Sequence, residues 1–555
     1  MSERLQTVVK FGTILMSLGV SVLSCFPVLA DSPVVYTQSF PHQTGFPRLE
    51  PNGTLWFASP SVVDINNDGS LDILVADGSG CIWGWDHKGR LLSGFPWMTS
   101  GSCQNTPRIN GPLAIGDVDG DGEVEVAAGT MGIDGQPGNR GRVFVWNANG
   151  TLLPGWPHEM AWNVEHGDGH PEVYSVALAN LAGNTQLEIL AGTSNNASAG
   201  GTPGVDVLPN LYAWHGDASL LPGYPTWNQT AGIYGLIGAA DLTGDGYAEV
   251  ITGRDHQHLH VNKPDGQYLA GWPVTTFVDP TKTSSSDPRL TFTKNAPAMG
   301  DLDGNGSIEI IIAGKLKQVA GGASIGSGVL VFEPNGQRHP GWSIAKLGGP
   351  PLYDEFLPSQ APALGDLDAD GKLEIVVALS DGIIRAYREN GSMMWQYDYA
   401  QGRRLFASEP VIGDVTGDGL LDVVFGTYSP DGVDKAHVKL LGLSANGQPL
   451  PNFPLPLTHE GNKDRQGLRG APTLADIDQD CDVEILASSL AGVVYVWDLA
   501  APYDSARMPW PTGRHDNFRS GTFGNLSLPL DSADDISGSS DVTLYLPILG
   551  RCARF

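Results

Sequence analysis

The stretch PALGDLDADGKLEIVVA at residues 362–378 contains a short apolar strand, an acidic loop with one glycine, and a second apolar strand. Loop positions 1, 3, 5 and 9 are Asp366, Asp368, Asp370 and Glu374, and position 6 is Gly371. A glycine in a left-handed conformation lets alternate side chains converge on one point. Converging carboxylates satisfy a hard cation that needs roughly six to eight oxygen ligands. The stretch therefore predicts a β-hairpin whose loop binds Ca²⁺.

This motif of strand, acidic loop and strand recurs eight times, which indicates a repeat architecture. The first loop residues lie 48–65 residues apart and are, in chain order, Asp64, Asp117, Asn180, Asp241, Asp301, Asp366, Asp414 and Asp476. Each loop is followed by a β-rich strand, and most of these strands lead to a turn such as Asn149-Gly150 and then to an element such as Gly155-Trp156-Pro157. Because Asn-Gly turns favour hairpins, each repeat is predicted to form a four-stranded antiparallel meander.

Eight such meanders predict an all-β fold, a β-propeller of four-stranded antiparallel blades, because propellers have roughly four to eight blades. We expect eight blades, with seven blades and an irregular unit as the alternative. The aromatic-proline elements at residues 45–47 and 509–511 flank the repeats, so the two ends are expected to meet in one blade. Residues 515–521 are expected to pack as a strap after the last blade. The recurring Trp residues are expected to pack in the blades.

The acidic loop shares its first positions with the EF-hand, which needs an acidic residue at position 12 and a helix after it. Here position 12 is Val377, and a β-strand follows. The loop, preceded by Ala-Pro-x-Leu-Gly or a similar phrase, instead resembles the FG-GAP (VCBS-type) repeat of integrin α-subunit propellers and of many bacterial exported proteins. The resemblance covers roughly residues 45–500. It implies a propeller with Ca²⁺ in the hairpin between the first two strands of a blade, on one rim.

Seven of the eight loops are predicted to hold structural Ca²⁺, which makes about seven sites. The predicted side-chain ligands are Asp64, Asn66, Asp68, Asp72, Asp117, Asp119, Asp121, Glu125, Asp241, Thr243, Asp245, Glu249, Asp301, Asp303, Asn305, Glu309, Asp366, Asp368, Asp370, Glu374, Asp414, Thr416, Asp418, Asp422, Asp476, Asp478, Asp480 and Glu484. The residues predicted to bind through their backbone carbonyls are Ser70, Glu123, Tyr247, Ser307, Lys372, Leu420 and Asp482.

Two loops depart from the pattern. In the eighth loop Cys481 replaces the position-6 glycine, which puts the loop geometry in question. The third loop has Asn180, Ala182, Asn184 and Glu188 at positions 1, 3, 5 and 9 and lacks the glycine. With one carboxylate it is predicted to be empty of metal.

The chain has 61 acidic and 32 basic residues, for a formal net charge of −29 at pH 7. An acidic protein repels phosphate backbones, which argues against nucleic acid as a partner. No Ser-His-Asp, paired-carboxylate or Gly-x-Ser-x-Gly arrangement stands out beyond the acidic loops, so no catalytic residue is predicted. His256, His258 and His260 alternate along a predicted strand of the fourth repeat. They are interpreted as a polar edge, with a transition-metal site as the alternative.

These observations favour an extracellular or cell-surface binding and adhesion module for a protein or glycan ligand. In this hypothesis calcium rigidifies one rim, and loops on the opposite rim present the binding surface. The alternative is a carbohydrate-active enzyme of the polysaccharide lyase type that uses the central channel. Basic and tyrosine side chains converging on a channel pocket would favour the enzyme.

The N-terminus indicates export. Residues 1–30 have a basic start, an apolar run and a small-residue cleavage site at Ala30, which is typical of a signal peptide. No later segment is apolar enough to span a bilayer, so no transmembrane segment is expected after signal removal. Lipidation at Cys25 is the minor alternative to simple secretion. Residues 31–525 are then the propeller, and residues 526–555 are a linker with an apolar tail.

Four cysteines remain after cleavage at Ala30, and an oxidising compartment would allow them to pair. Cys81 and Cys103 are the nearest pair in sequence. Cys481 with Cys552 would then tie the tail to the last repeat.

Overall fold

The computed structural model describes most of the chain between residues 40 and 524. The described residues are 40–49, 51, 53–103, 107–132, 140–161, 171–194, 208–226, 232–233, 235, 237–253, 258–292, 295–318, 323–353, 361–457, 459 and 466–524. The predicted signal peptide, Cys25 and the predicted tail at 526–555 lie outside them. Within the described part of the chain there is no helix of the length and apolar character that a membrane crossing requires.

In the described ranges, thirty-three β-strands form eight small antiparallel sheets arranged in a ring, which confirms the eight-bladed propeller. Blades one to four contain β1 (Ser61–Val63), β2 (Asp72–Ala76), β3 (Cys81–Asp86) and β4 (Trp97–Met98); β5 (Ala114–Gly116), β6 (Glu125–Gly129), β7 (Arg142–Asn147) and β8 (His158–Glu159); β9 (Val173–Ala179), β10 (Glu188–Thr193) and β11 (Leu211–Trp214); β12 (Ile237–Ala240), β13 (Glu249–Gly253), β14 (His258–Asn262) and β15 (Val274–Thr275).

Blades five to eight follow the same order with additional strands in two of them. They contain β16 (Arg289–Thr291), β17 (Pro297–Gly300), β18 (Glu309–Lys317), β19 (Ser324–Phe332) and β20 (Lys346–Leu347); β21 (Ala363–Gly365), β22 (Glu374–Ala378), β23 (Ile383–Tyr387) and β24 (Met393–Asp398); β25 (Phe406–Ala407), β26 (Val411–Gly413), β27 (Asp422–Ser429), β28 (Lys439–Ser444), β29 (Leu455–Pro456) and β30 (Gln466–Gly467); β31 (Thr473–Ala475), β32 (Asp482–Ser488) and β33 (Val494–Pro502).

The second strand of each blade is buried on both faces because each blade packs between two others. In β22, the sequence EIVVA has all five residues buried. Successive strands of a blade are antiparallel, with Gly365 opposite Glu374 where β21 meets β22. Antiparallel neighbours place alternate connections at opposite ends of the strands. All acidic loops therefore lie on one rim, called here the acidic rim, and the connections into the next blade lie on the opposite rim.

Two blades carry longer hairpins toward the opposite rim. Strands β18 and β19 have nine residues each, whereas β13 and β14 have five. Four extra residues extend a strand by about 13 Å. β16 pairs with the extension of β18, and β25 and β30 pair with the extension of β27. Blades five and seven therefore differ from the predicted plain four-stranded unit at the opposite rim.

The N-terminal part of the described chain closes the ring. The backbone N–H groups of Gln43 and Arg48 donate to Val496 O and Val494 O on β33, at 3.0 and 2.9 Å. Residues 42–48 thus supply the fourth strand of blade eight, as the first aromatic-proline element predicted. The second element does not join them: Trp510 pairs with Ile412 on β26 of blade seven. The expectation that both ends meet in one blade is therefore wrong for residues 509–511.

The chain after blade eight runs along the innermost strands of the ring. Its backbone forms hydrogen bonds with Ile412, Leu474, Ile115, Leu178, Ala239 and Met299, which belong to blades seven, eight, two, three, four and five. Because innermost strands line the channel of a propeller, residues 507–523 occupy that channel. We call them the central segment. The predicted strap is thus an internal element rather than a cover.

Trp side chains join neighbouring blades, as the repeated positions predicted. The indole N–H of Trp156 in blade two donates to Gly216 O in blade three at 3.0 Å, and that of Trp272 donates to Pro334 O at 2.7 Å. Trp342 makes the same contact with Glu389 O at 2.7 Å. The proline that follows the aromatic residue has a cis peptide bond in six of these elements.

One disulfide prediction is confirmed. Cys81 and Cys103 are bonded, with Cα atoms 5.6 Å apart. Cys481 is also disulfide-bonded, but its expected partner Cys552 lies outside the described residues.

Candidate metal centres

The seven predicted metal loops share one backbone conformation. The position-6 glycines have φ between +85° and +90°; they are Gly69, Gly122, Gly246, Gly306, Gly371 and Gly419. Cys481 adopts a φ of +74° at the same position. The missing glycine therefore does not change the left-handed turn of the eighth loop, although a side chain there is strained.

The position-1 aspartate organises the loop around its carboxylate. In blade five, Asp301 accepts hydrogen bonds from the N–H groups of Gly304, Asn305 and Gly306 at 2.8, 3.0 and 2.8 Å. Asp241 is bonded in the same way to three N–H groups. These bonds fold the loop locally and turn its other oxygen-bearing side chains inward.

The position-9 carboxylate, a glutamate in five of the seven predicted metal loops and an aspartate in the other two, is the most buried member of each loop. Glu309 is 0% exposed, and its Oε2 accepts the N–H of Leu302 at 2.8 Å. Its Oε1 is buried and has no hydrogen-bond partner among the described residues. The same unpartnered Oε1 recurs in Glu125, Glu374 and Glu484. A buried carboxylate oxygen without a partner is costly, so these loops fit a bound cation.

Four loops bring three carboxylates within 4.8 Å of one another. They are Asp117, Asp119 and Glu125; Asp301, Asp303 and Glu309; Asp366, Asp368 and Glu374; and Asp476, Asp478 and Glu484. In the other three predicted loops position 3 is Asn66, Thr243 or Thr416, which offers an amide or hydroxyl oxygen. All-oxygen clusters of this kind suit Ca²⁺. Ca²⁺ would bind here by neutralising carboxylates that otherwise repel one another.

In the third loop, protein groups stabilise the single carboxylate. Glu188 accepts the N–H groups of Leu181 and Ala182, and the Nδ1 atom of His215 lies 3.3 Å from its Oε1. His215 is the cross-strand neighbour of this glutamate, next to the register pair Ile189–Trp214. His215 directly follows the third strand of its blade and lies outside the acidic-loop motif.

In three other blades, the residue at the same cross-strand position is acidic. It is Asp86 in blade one, Glu333 in blade five and Asp498 in blade eight. Burial and the nearby Asp480 and Asp478 raise the pKa of Asp498 above its usual value. In the sequence, these groups lie at or just beyond the end of the apolar run in the third strand of each repeat, for example Asp86 after Trp85 and Glu333 after Phe332.

Basic side chains also reach the acidic rim. Arg388 Nη2 lies 3.0 Å from Asp368 Oδ2, and Arg507 Nη1 lies 3.5 Å from Asp414 Oδ2. These exposed cations are long-range partners that the loop motif does not predict. Both guanidinium groups are exposed to solvent, although Asp414 itself is buried. Ion pairs exposed to solvent contribute roughly 0–1 kcal/mol to stability.

Burial raises the pKa of the loop carboxyls in the absence of metal. The pKa of Glu125 and that of Glu309 rise to about 8, and that of Glu484 rises to about 9. Desolvation is the main cause, and the neighbouring acids of each loop add to it. Ionising these groups at neutral pH therefore opposes folding unless a cation is bound.

We expect the chelated protein to become less stable as the pH rises from about 6 to 9. The folded-state pKa values exceed the unfolded value of about 4.3, so the folded state binds more protons throughout this window and loses that advantage as they dissociate. Thermal unfolding in excess chelator should show Tm falling by about 5 °C or more. In saturating Ca²⁺ the same scan should be nearly flat. A flat profile in chelator would contradict this assignment.

The alternating histidines give no evidence of a metal cluster in the described part of blade four. His258 and His260 lie on β14 with ring centroids 6.1 Å apart, and His256 lies outside the described residues. His260 is 1% exposed and packs 5.4 Å from the ring of Tyr268. His260 is therefore packed inside the blade, on a strand that lies between β13 and β15, and the interpretation as a polar edge is wrong for this residue.

The channel contains two buried arginines, both from the central segment. Arg519 is 0% exposed and donates to Leu113 O, Gly513 O and Ser61 Oγ at 2.8, 2.8 and 2.6 Å. Arg514 donates to Ser175 Oγ at 3.0 Å. Their partners are the chain itself, so these basic groups hold the ring together and do not line an open channel pocket.

Comparison with known proteins agrees with the repeat and the fold. A family model described as FG-GAP-like repeat matches residues 366–425. No curated protein sequence matches the chain. Saccharomyces cerevisiae Sqt1 is similar with a TM-score of 0.53 and 11% identity, covering 83% of this chain and 100% of its own.

Two further solved structures resemble the chain more distantly. The V. cholerae biofilm matrix protein Bap1 has a TM-score of 0.42 and 13% identity, covering 88% of this chain and 96% of its own. The exotype rhamnogalacturonan lyase YesX has a TM-score of 0.48 and 15% identity, covering 86% and 78%. At these identities the likeness concerns the fold alone.

Proposed function

Since the chain is an FG-GAP repeat β-propeller, we propose that it is an exported, calcium-stabilised binding module that presents its opposite rim to a glycan or protein. The observation that carries this proposal is a group of aromatic rings and guanidinium groups on that rim. Arg469 lies 4.2 Å from the ring centroid of Phe57, 5.0 Å from that of Trp56 and 5.5 Å from that of Tyr428. We call these residues, with Tyr353 and Arg404, the arginine–aromatic cluster.

The cluster is assembled by the connections between blades. Trp56 and Phe57 precede β1, Arg469 precedes β31, and Tyr428 lies on the extended part of β27. Trp56 and Tyr353 are half-buried, and the Arg404 side chain is 51% exposed over the Tyr353 ring at 5.4 Å. Aromatic and arginine side chains are enriched at protein binding sites, where rigid rings bury large areas at low entropic cost. Phe57, Tyr428 and Arg469 are buried and form the base of the cluster. The partial exposure of Trp56, Tyr353 and Arg404 above them supports a ligand-binding role.

Calcium would act at a distance from the ligand in this proposal. The acidic loops and the cluster lie at opposite ends of the same strands, so bound ions would rigidify the blades without contacting the ligand. The second candidate, a lyase that uses the channel, receives less support because the central segment occupies the channel. Ligand binding is therefore expected at the loops around the channel mouth.

A screen of purified glycans and candidate extracellular proteins, run with and without Ca²⁺, tests the proposal. For any ligand found, we expect Trp56→Ala and Arg404→Ala each to weaken binding at least about tenfold, because each removes a partly exposed cluster group. The matched control is Tyr268→Ala, which removes a 37% exposed aromatic ring near a hairpin turn of the acidic rim. A ligand whose affinity depends on Tyr268 and not on Trp56 or Arg404 would contradict the proposal.

A further inference from the structure

His339 in blade five breaks the repeat at a buried position. Its backbone N–H donates to Val331 O at 3.1 Å, and the corresponding hydrogen bond recurs in five other blades with leucine in its place. Those leucines are Leu92, Leu153, Leu221, Leu269 and Leu450. His339 is 2% exposed. A buried imidazole in place of leucine costs stability unless its nitrogen atoms are satisfied.

Two glutamate side chains lie close to the imidazole of this histidine. Glu333 directly follows β19 and lies beside Glu309, as the register pair Ile310–Phe332 requires. The Nδ1 atom of His339 lies 2.8 Å from Glu333 Oε1. Glu309 Oε1 is buried and has no hydrogen-bond partner among the described residues. One ligand atom from each of the three residues lies within 4.8 Å of the other two.

The potential ligand atoms of this site differ in element type from those of the acidic loops. It contains an imidazole nitrogen, whereas Ca²⁺ selects oxygen ligands almost exclusively. One imidazole and two carboxylates suit Zn²⁺, and Zn²⁺ sites with three protein ligands commonly complete their coordination with water. We propose that blade five binds a zinc ion through Glu309, Glu333 and His339, in addition to any ion in its acidic loop.

The carboxylate of Glu309 belongs to both sites. Its oxygens also lie within 4.8 Å of those of Asp301 and Asp303. A carboxylate can bridge two metal ions, as it does in two-metal centres. The zinc site depends on His339 and Glu333, which lie outside the acidic loop, so the two sites can be separated by mutation.

The test is a zinc titration of the calcium-saturated full-length protein by calorimetry, repeated with Co²⁺ as a spectroscopic probe. His339→Leu installs the residue that the other blades carry and should remove one equivalent of tight zinc binding. It should also remove the visible absorption of four-coordinate cobalt. The calcium stoichiometry should not change, because His339 is not part of an acidic loop. Glu333→Gln, which keeps the shape of the side chain, should weaken zinc binding at least about tenfold.

The control is His258→Gln, which removes an imidazole from blade four and should leave the same equivalent of zinc bound. The proposal is overturned if wild type and His339→Leu bind the same number of zinc ions. It is also overturned if zinc lost in the variant is accompanied by lost calcium, since the site would then be the acidic loop alone. Loss of calcium binding in wild type with the zinc equivalent retained would refute the calcium sites and leave this inference intact.

Discussion

Removal of calcium is expected to lower Tm by about 10–20 °C. Each site that is saturated at about 100 times its Kd contributes roughly 2.7 kcal/mol, and four to seven such sites act on the same ring. A domain of this size has an unfolding entropy near 1 kcal/mol per kelvin, from about 2.1 cal/mol/K per residue. Differential scanning calorimetry with and without excess chelator measures the difference. An unchanged Tm in chelator would refute structural calcium.

Substitutions in single loops compare a predicted calcium loop with the third loop, which is predicted to be empty. Asp301→Ala removes the carboxylate that accepts three backbone N–H groups, so it should lower the calcium stoichiometry by one and lower Tm. Asn184→Ala lies at position 5 of the third loop, which is predicted to be empty, and should leave the stoichiometry unchanged. Calcium lost equally in both variants would show that the loops do not act as separate sites.

Deletion of the central segment is expected to have the second large effect. A chain that ends at residue 506 leaves the channel edges of the innermost strands without partners, and each unsatisfied buried group costs about 1–3 kcal/mol. We expect this chain to be aggregated or to unfold at least about 10 °C lower than the control. The control ends at residue 524, which keeps the segment and equally lacks Cys552. Equal Tm values for the two chains would contradict a structural role for the segment.

A single substitution at Arg519 also tests the structural role of the central segment. Its guanidinium joins blade one, blade two and the segment itself through Ser61, Leu113 and Gly513. Arg519→Ala should destabilise the protein by about 3–5 kcal/mol, because it breaks a buried network of a charged group. Lys282→Ala, whose side chain is 66% exposed, should change stability by less than about 0.5 kcal/mol.

The acidic loops could be predicted closely because their structure is local. Asp366 and Gly371 are five residues apart, and the hydrogen bond between them at 2.9 Å depends on the loop alone. The recurrence of the acidic loop at a near-constant spacing then predicted the blades and their number. Even the Cys481 loop retains the conformation, since its neighbours make the same short-range bonds as in other loops.

The sequence by itself favoured eight blades, with seven as the alternative, and predicted the shared rim of the acidic loops and a ring-closing role for the element at residues 45–47, because each follows from short-range patterns repeated along the chain. Only the tertiary structure decided where residues 507–523 lie, and which side chains join the acids across strands. Arg519 meets Ser61 over a separation of 458 residues. His339 reaches Glu309 only because strand register brings it there. Such contacts arise from ring closure and strand pairing, and a local motif contains no information about them.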